Sequence, residues 1–139
     1  MADQKKNYSV FNMGSFADLE KKEINGKKGK VFLGQELGLT GCEASINSTP
    51  AGGFTPFVHS HKMNEELYIV IKGSGFFYVD GEEFPIREGS MIRVAPAGER
   101  AIKAGDEGLS YACVQVQQGS LKQATKEDGV ITETKTSWM

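Results

Sequence analysis

The chain has 139 residues and a mass of 15.1 kDa, a size typical of one domain that buries its own core without disulfides or a structural metal. Hydrophobic residues make up 39% and charged residues 24%, which excludes a disordered chain, and the apolar runs are too short for a membrane-spanning helix. The net charge of −2 argues against general nucleic-acid binding, which requires a basic excess.

The first thirty residues differ in charge from the rest. Residues 1–30 carry seven lysines and four acidic residues, whereas the remainder is acidic. Ser15 with Asp18 three positions later predicts a capped helical turn that continues towards Lys22. We expect residues 1–30 to form an arm packed on the domain, with no chemistry of its own. The sequence here lacks the apolar stretch of a signal peptide, so a cytoplasmic location is expected.

From residue 31 onward, short strand-like runs alternate with turn residues. The chain has 17 glycines, against roughly 10 for an average composition of about 7%, which favours many tight turns. Asp80-Gly81 predicts a type I′ hairpin. Strands that recur every roughly 8–12 residues, with no long helix between them, predict an all-β sandwich or barrel over residues 31–120. The predicted strands are 31–33, 42–47, 57–61, 67–72, 76–79, 83–86, 91–94, 101–103 and 111–117.

Polar side chains alternate with small and apolar ones along the predicted strand 42–47. Glu43, Ser45 and Asn47 lie on one face of this strand. In an antiparallel sheet the polar face is usually solvated, whereas in a barrel it can form the wall of a pocket. The sequence leaves both readings open.

The cysteines and the C-terminal segment carry no recognisable chemistry. Cys42 and Cys113 are far apart and belong to no CxxC pair, so we expect two separate reduced thiols packed in strands. Residues 121–139 are mostly polar and are predicted to be an edge strand, a dimer arm or a frayed tail.

The two histidines of the chain, His59 and His61, stand two positions apart. In a strand such residues share a face, roughly 6.6 Å apart, and both rings can reach one cation at about 2.0–2.1 Å. A histidine pair alone is more often structural. Glu66, which precedes the apolar run 67–72, supplies a carboxylate from the neighbouring strand as a third ligand.

The spacing of these residues resembles the first motif of the cupin family, G-x5-H-x-H-x4-E-x6-G. All five fixed positions are matched, by Gly53, His59, His61, Glu66 and Gly73. The resemblance implies a cupin-type double-stranded β-helix, also described as a jelly-roll barrel. It also implies one divalent metal ion held by His59, His61 and Glu66, since the motif spacing selects Glu66 over the adjacent Glu65.

Residues 89–101 resemble the second cupin motif, G-x5-P-x-G-x2-H-x3-N, with one extra residue before Pro96. Ala101 stands where the resemblance implies a histidine as fourth metal ligand. Two histidines and one carboxylate still form a three-ligand site, which is the arrangement of non-haem Fe(II) sites. The ligands fit Fe, Mn, Zn, Ni or Co and do not select among them.

Arg100 is the candidate substrate-binding residue. The extra residue before Pro96 leaves two registers open, because a shift of one turns side chains to the other face of the sheet. In the register of the family motif Ala101 points inward, whereas in the shifted register Arg100 points inward, where a guanidinium can bind a carboxylate or phosphate. The alternative is a surface arginine paired with Glu99 or Asp106.

The cupin resemblance implies several functions and does not choose among them. The first hypothesis is a small metal-dependent enzyme of the oxygenase or isomerase type that acts on a small polar molecule in the barrel pocket. The alternative is a non-catalytic cupin that binds or senses a small ligand and has a weak or vestigial metal site. Small cupins commonly form homodimers, so a homodimer is expected, with no nucleic-acid or membrane partner.

Overall fold

The computed structural model describes residues 7–123 and 125–139 and confirms the predicted all-β class. None of the helices in this described part of the chain is long and apolar enough to cross a membrane. The helices are α1 (Phe16–Leu19), α2 (Leu33–Leu37) and α3 (Thr125–Asp128). The strands are β1 (Glu23–Ile24), β2 (Lys27–Lys28), β3 (Lys30–Phe32), β4 (Glu43–Thr49), β5 (Asn64–Val79), β6 (Glu82–Arg87), β7 (Met91–Val94) and β8 (Arg100–Gln117).

Two long antiparallel strands, β5 and β8, organise the main sheet. Its strand order is β3-β4-β8-β5-β6, and β7 pairs with the first part of β5. The 16 residues of β5 and 18 of β8 exceed the usual strand length of about 5–6, so both must bend. Register shifts at Val70/Lys72 and Gly73/Gly75 mark the bend. The core lies inside the resulting curve and contains Tyr68, Val70, Phe77, Ile86, Val94, Ile102, Ala104, Leu109 and Tyr111.

Gly73 permits the close approach of the two strands at this bend. Its φ of +86° lies in the left-handed region, and a Cβ there would stand 2.1 Å from the carbonyl oxygen of Gly108. No other residue can satisfy both conditions without moving the backbone. The last glycine of the sequence motif therefore has a packing role and not a direct chemical one.

Several predicted strands are parts of one longer strand. Segments 67–72 and 76–79 both belong to β5, and segments 101–103 and 111–117 both belong to β8. The glycine-rich residues between them were predicted as turns, but the ladder continues across them with bulges. The prediction of a strand at 57–61 is wrong: this segment makes an isolated bridge between His59 and Arg100, without a ladder.

The local turn and cap predictions are confirmed. Asp80 and Gly81 have φ values of 49° and 90°, as a type I′ turn requires. The Ser15 hydroxyl accepts a hydrogen bond from the Asp18 N–H, although α1 ends at Leu19 and does not reach residue 22. A second turn of positive φ at Asn25-Gly26 joins β1 and β2, a hairpin that the sequence analysis missed.

The two terminal segments differ in how they meet the domain. In the N-terminal segment, Leu19 is fully buried and the Ser9 hydroxyl donates to the Leu37 carbonyl at 2.7 Å, so the described part of this segment packs on the domain. Residues 1–6 of the predicted arm lie outside the described residues. In the C-terminal segment, no strand follows Gln117 among the described residues, which contradicts the edge-strand alternative.

The close approach at Gly73 predicts a large difference between two glycine substitutions. Gly52 also has a positive φ, +76°, but nothing lies within 4 Å of a Cβ placed there. Gly52→Ala should cost about 1–2 kcal/mol of unfolding free energy from backbone strain alone. Gly73→Ala adds the clash with Gly108 and should cost about 2–5 kcal/mol. Urea unfolding of both variants measures this, and equal losses would contradict the packing role.

Candidate metal centre

Strand register brings polar side chains from four strands onto one inner face. Residues paired across neighbouring strands lie on the same face of a sheet. One cross-strand row is Glu43–Gln115–Glu66, the next is Phe32–Ser45–Cys113–Tyr68, and the third is Lys30–Asn47–Tyr111–Val70. Ser45 and Asn47 are buried, so the polar face of β4 is a cavity wall, and the solvated reading of that face is wrong.

The segment that carries both histidines is fixed by backbone hydrogen bonds. The His59 N–H donates to the Arg100 carbonyl at 3.1 Å, and the Arg100 N–H donates to the His59 carbonyl at 2.9 Å. The His61 N–H donates to the Pro96 carbonyl at 2.8 Å. His59 and His61 are half-buried while the intervening Ser60 is exposed, so both rings lie on the inner side. Their centroids are 5.3 Å apart.

The structure brings together the three predicted ligands, His59, His61 and Glu66. One ligand atom from each lies within 4.8 Å of the others. Nε2 of His61 is 3.3 Å from Oε2 of Glu66, and Nε2 of His59 is 3.9 Å from Oε1. Two donor atoms that each lie about 2.1 Å from one metal are about 3.0–3.4 Å apart at angles between octahedral and tetrahedral. The His61–Glu66 pair has this spacing, whereas His59 lies farther from the carboxylate and would have to move closer to bind the same ion.

Two ring nitrogens of the cluster have no hydrogen-bond partner among the described residues. They are Nε2 of His61 and Nδ1 of His59, and both are buried. A buried polar atom without a partner is destabilising. A cation beside Glu66 would satisfy the His61 nitrogen, since a neutral imidazole nitrogen is a metal ligand. The residues present thus fit a divalent metal.

Glu66 is the most enclosed of the three ligands, with 4% of its surface exposed. Its Oε1 accepts hydrogen bonds from the Tyr68 hydroxyl at 2.8 Å and from Nη1 of Arg100 at 2.7 Å, and its Oε2 accepts one from Sγ of Cys113 at 3.2 Å. Burial raises the pKa of this carboxyl, but the bonds from Tyr68, Cys113 and Arg100 outweigh burial and hold the pKa below its usual value. Glu66 is thus an anion at neutral pH.

Arg100 is fully buried, with 0% of its surface exposed. Besides Glu66, its guanidinium donates to the carbonyls of Gly98 at 2.9 Å, Ala95 at 2.7 Å and Pro96 at 3.2 Å. These bonds compensate for taking the charge out of water. They also tie the loop before β8 to the carboxylate of the metal cluster.

The burial of Arg100 decides between the two registers of the second motif. Arg100, Ile102 and Ala104 are buried, whereas Ala101 and Lys103 between them are more exposed. Position 100 therefore points inward, towards Glu66, and the reading of a surface arginine paired with Glu99 or Asp106 is wrong. Arg100 lines the cavity, and its binding of a substrate stays a prediction.

Two further ionisable groups at the cluster, His59 and Cys113, are held neutral. Burial lowers the pKa of His59, and the nearby Arg100 charge lowers it further, against the opposing attraction of Glu66. Burial, reinforced by Glu66, raises the pKa of Cys113 to about 12, so the thiol keeps its proton. A neutral imidazole can bind a metal, and a protonated thiol can donate to Glu66.

Cys113 and Tyr68 are site residues that the sequence analysis missed. The analysis placed Cys113 in a strand as a free thiol, and it is free, but it contacts Glu66. The signal was period-two alternation: Tyr68 follows Glu66 by two positions, and Cys113 lies between Tyr111 and Gln115 on β8. By contrast, Glu65 pairs with Arg93 at 3.3 Å on the surface, as expected.

The cluster of His59, His61 and Glu66 opens into a cavity of about 260 Å³. Aromatic side chains form part of its wall and polar side chains the rest. The lining residues are Lys30, Phe32, Glu43, Ser45, Asn47, Thr55, Phe57, His59, His61, Glu66, Tyr68, Arg100, Ala101, Ile102, Tyr111, Cys113 and Gln115. A small polar molecule fits such a space.

Comparison with known proteins identifies the family. The profile of the cupin domain matches residues 48–114. The crystal structure of a cupin protein from Bacteroides fragilis is 40% identical, with a TM-score of 0.79 over 91% of this chain and 98% of that one. The chain therefore belongs to the cupin family, and the predicted jelly-roll fold is confirmed.

Two further matches are more distant. An uncharacterised protein of Methanocaldococcus jannaschii is 31% identical over 65 residues, which cover 46% of this chain. The matched part is 51% of that relative, so this chain spans about half of the relative's length. The DMSP lyase DddQ from Ruegeria pomeroyi is 18% identical, with a TM-score of 0.57 over 67% of this chain and 48% of that one. The latter similarity shows the fold alone.

The buried ion pair predicts a strong dependence of stability on Arg100. Arg100→Met leaves Glu66 as a buried anion without its cation and should cost about 3–5 kcal/mol of unfolding free energy. The matched control is Arg93→Met, which removes the exposed partner of Glu65 and should cost about 1 kcal/mol or less. Urea unfolding of the two variants compares them. Similar small losses would show that the Arg100 bonds contribute little.

Proposed function

We propose that the chain binds one divalent metal ion through His59, His61 and Glu66 and acts as a metal-dependent enzyme on a small polar molecule. The observation that supports this most directly is Nε2 of His61, which is buried, has no hydrogen-bond partner among the described residues and stands 3.3 Å from Glu66. Two imidazoles with one carboxylate form a common ligand set of catalytic metals.

The bound metal would supply a Lewis acid that polarises an oxygen of the ligand. The chain's own residues prepare the place for it. Tyr68, Arg100 and Cys113 orient the Glu66 carboxylate and keep it ionised. The backbone bonds of His59 and His61 hold the two rings on the inner side of the sheet. The adjoining cavity admits the ligand and limits its size.

Within enzymes, we propose the oxygenase or isomerase type. A three-residue ligand set leaves coordination positions for both a substrate and a further small molecule. An acid–base isomerase without metal is less well supported, because both histidines of the chain lie in the metal cluster. The structural similarity to a DMSP lyase shows that this fold is found in an enzyme.

The second candidate is a cupin that binds a ligand without turnover. Arg100 favours it, because a guanidinium bonded to Glu66 at 2.7 Å already balances the only carboxylate of the cluster. A metal ion that enters adds two positive charges to a site that is otherwise neutral. Its affinity should be lower than that of an otherwise similar site without the arginine.

Metal content tests the proposed site. Protein purified without a metal-affinity tag and dialysed against a divalent metal should hold about one equivalent by elemental analysis. Joint replacement of His59 and His61 by Ala should remove it, because the carboxylate alone is a weak ligand. Glu66→Gln should also lose metal. Its matched control, Glu65→Gln, should retain it, since Glu65 lies on the surface.

Two outcomes would count against this proposal. If the double histidine variant keeps its metal, the ion binds elsewhere. If the wild-type chain takes up no metal even at millimolar concentration while its circular dichroism is native, the ligand-binding candidate is favoured instead.

A further inference from the structure

Lys30 stands at the wall of the same cavity without a carboxylate partner. In the cross-strand rows, Lys30 is paired with Asn47, and Phe32 with Ser45, so both β3 side chains lie on the same inner face as the β4 side chains that line the cavity. The Lys30 ammonium lies 4.8 Å from the centroid of the Phe32 ring, a cation–π contact that holds it in place. Among the described residues no acidic group pairs with Lys30.

Neutral hydrogen-bond donors lie on the same cavity wall as this ammonium, Ser45 in the neighbouring cross-strand row and Gln115 in the row at the far end. The Ser45 hydroxyl oxygen accepts from the Asn47 amide, which leaves the Ser45 hydrogen free to donate into the cavity. Oε1 of Gln115 accepts from Asn64, which leaves the Gln115 amide nitrogen as a donor. A positive charge on a wall that also carries neutral donors is suited to an anion, because a carboxylate oxygen accepts from both kinds of group.

The balance of charge inside the cavity points the same way. Arg100 balances the charge of Glu66. The cavity also contains one positive charge, on Lys30, and one negative charge, on Glu43 at the opposite end of the wall. Glu43 is held by the backbone N–H groups of Gly34 and Ala44, so its charge is stabilised locally and does not pair with Lys30. A divalent metal then leaves the cavity with two uncompensated positive charges. An anionic ligand would offset them.

We propose that Lys30 binds a carboxylate of a small anionic ligand whose other end lies at the metal cluster. The placement of the ligand's other end at the metal cluster rests on the proposed function, whereas the role of Lys30 does not. The ligand class is a small mono- or dicarboxylic acid, and Lys30 is the residue that selects it over a neutral molecule of the same size.

The test is calorimetric titration with malonate and with its neutral analogue malonamide. Protein whose metal content has been measured should bind malonate and not malonamide. Lys30→Met should weaken malonate binding at least tenfold, without loss of metal. The matched control is Lys72→Met, an exposed lysine of β5 outside the cavity, which should bind as the wild type does.

The outcomes separate this inference from the metal proposal. Equal binding of malonate and malonamide, or wild-type affinity in Lys30→Met, would overturn the role of Lys30. If the chain takes up no metal, the proposed function fails, and the titration is made with the metal-free protein. There too, malonate binding that is weak but lost in Lys30→Met supports the inference, and binding that does not change overturns it.

Discussion

The buried pair of Arg100 and Glu66 is the interaction on which the rest of the site depends. The guanidinium joins the carboxylate to three loop carbonyls, while the backbone of the same residue is bonded to His59. One residue thus links the histidine segment, the loop before β8 and the carboxylate of β5. Such a pair is not by itself stabilising, because desolvation offsets much of its attraction. Its value here is positional, since it fixes where the ligand atoms lie.

The pair also affects how strongly the site would hold a metal ion. Because Arg100 already balances the charge of Glu66, we expect the metal affinity to be lower than at a site whose carboxylate has no cationic partner. The unpartnered nitrogen of His61 favours the ion, and the positive charge of Arg100 opposes it. The charge of the ligand then matters. The anion proposed to bind beside Lys30 would offset the charge of a bound metal, so ligand and metal should strengthen each other's binding.

Much of the fold and the grouping of His59, His61 and Glu66 was predictable from spacing, and the parts that were not predicted have physical reasons. The motif spacing selected Glu66 over Glu65, and the structure places Glu66 beside both histidines. Asp80-Gly81 specified its turn by local chemistry. The Asn25-Gly26 hairpin carried the same local signal, and it was overlooked because its strands have only two residues each. Glycines 73 and 75 favoured a turn, but both residues lie within β5. The sequence does not distinguish the two cases, because a bulge and a turn need the same backbone freedom. The partners of Arg100 could not be predicted, because they depend on strand register over 34 residues of sequence.

The order of strands in the sheet bears on how this chain reaches its native state. β8 is the last strand along the sequence, yet it lies in the middle of the sheet, between β4 and β5. Until β8 is inserted, the edges of both neighbours are unpaired, and unpaired edges promote association between incompletely folded chains. The pairings of β8 with β4 and β5 join residues that are far apart in sequence, and such contacts form slowly. During synthesis, the centre can assemble only after residue 117 has left the ribosome, so the interval before that moment is when the chain is most exposed to aggregation.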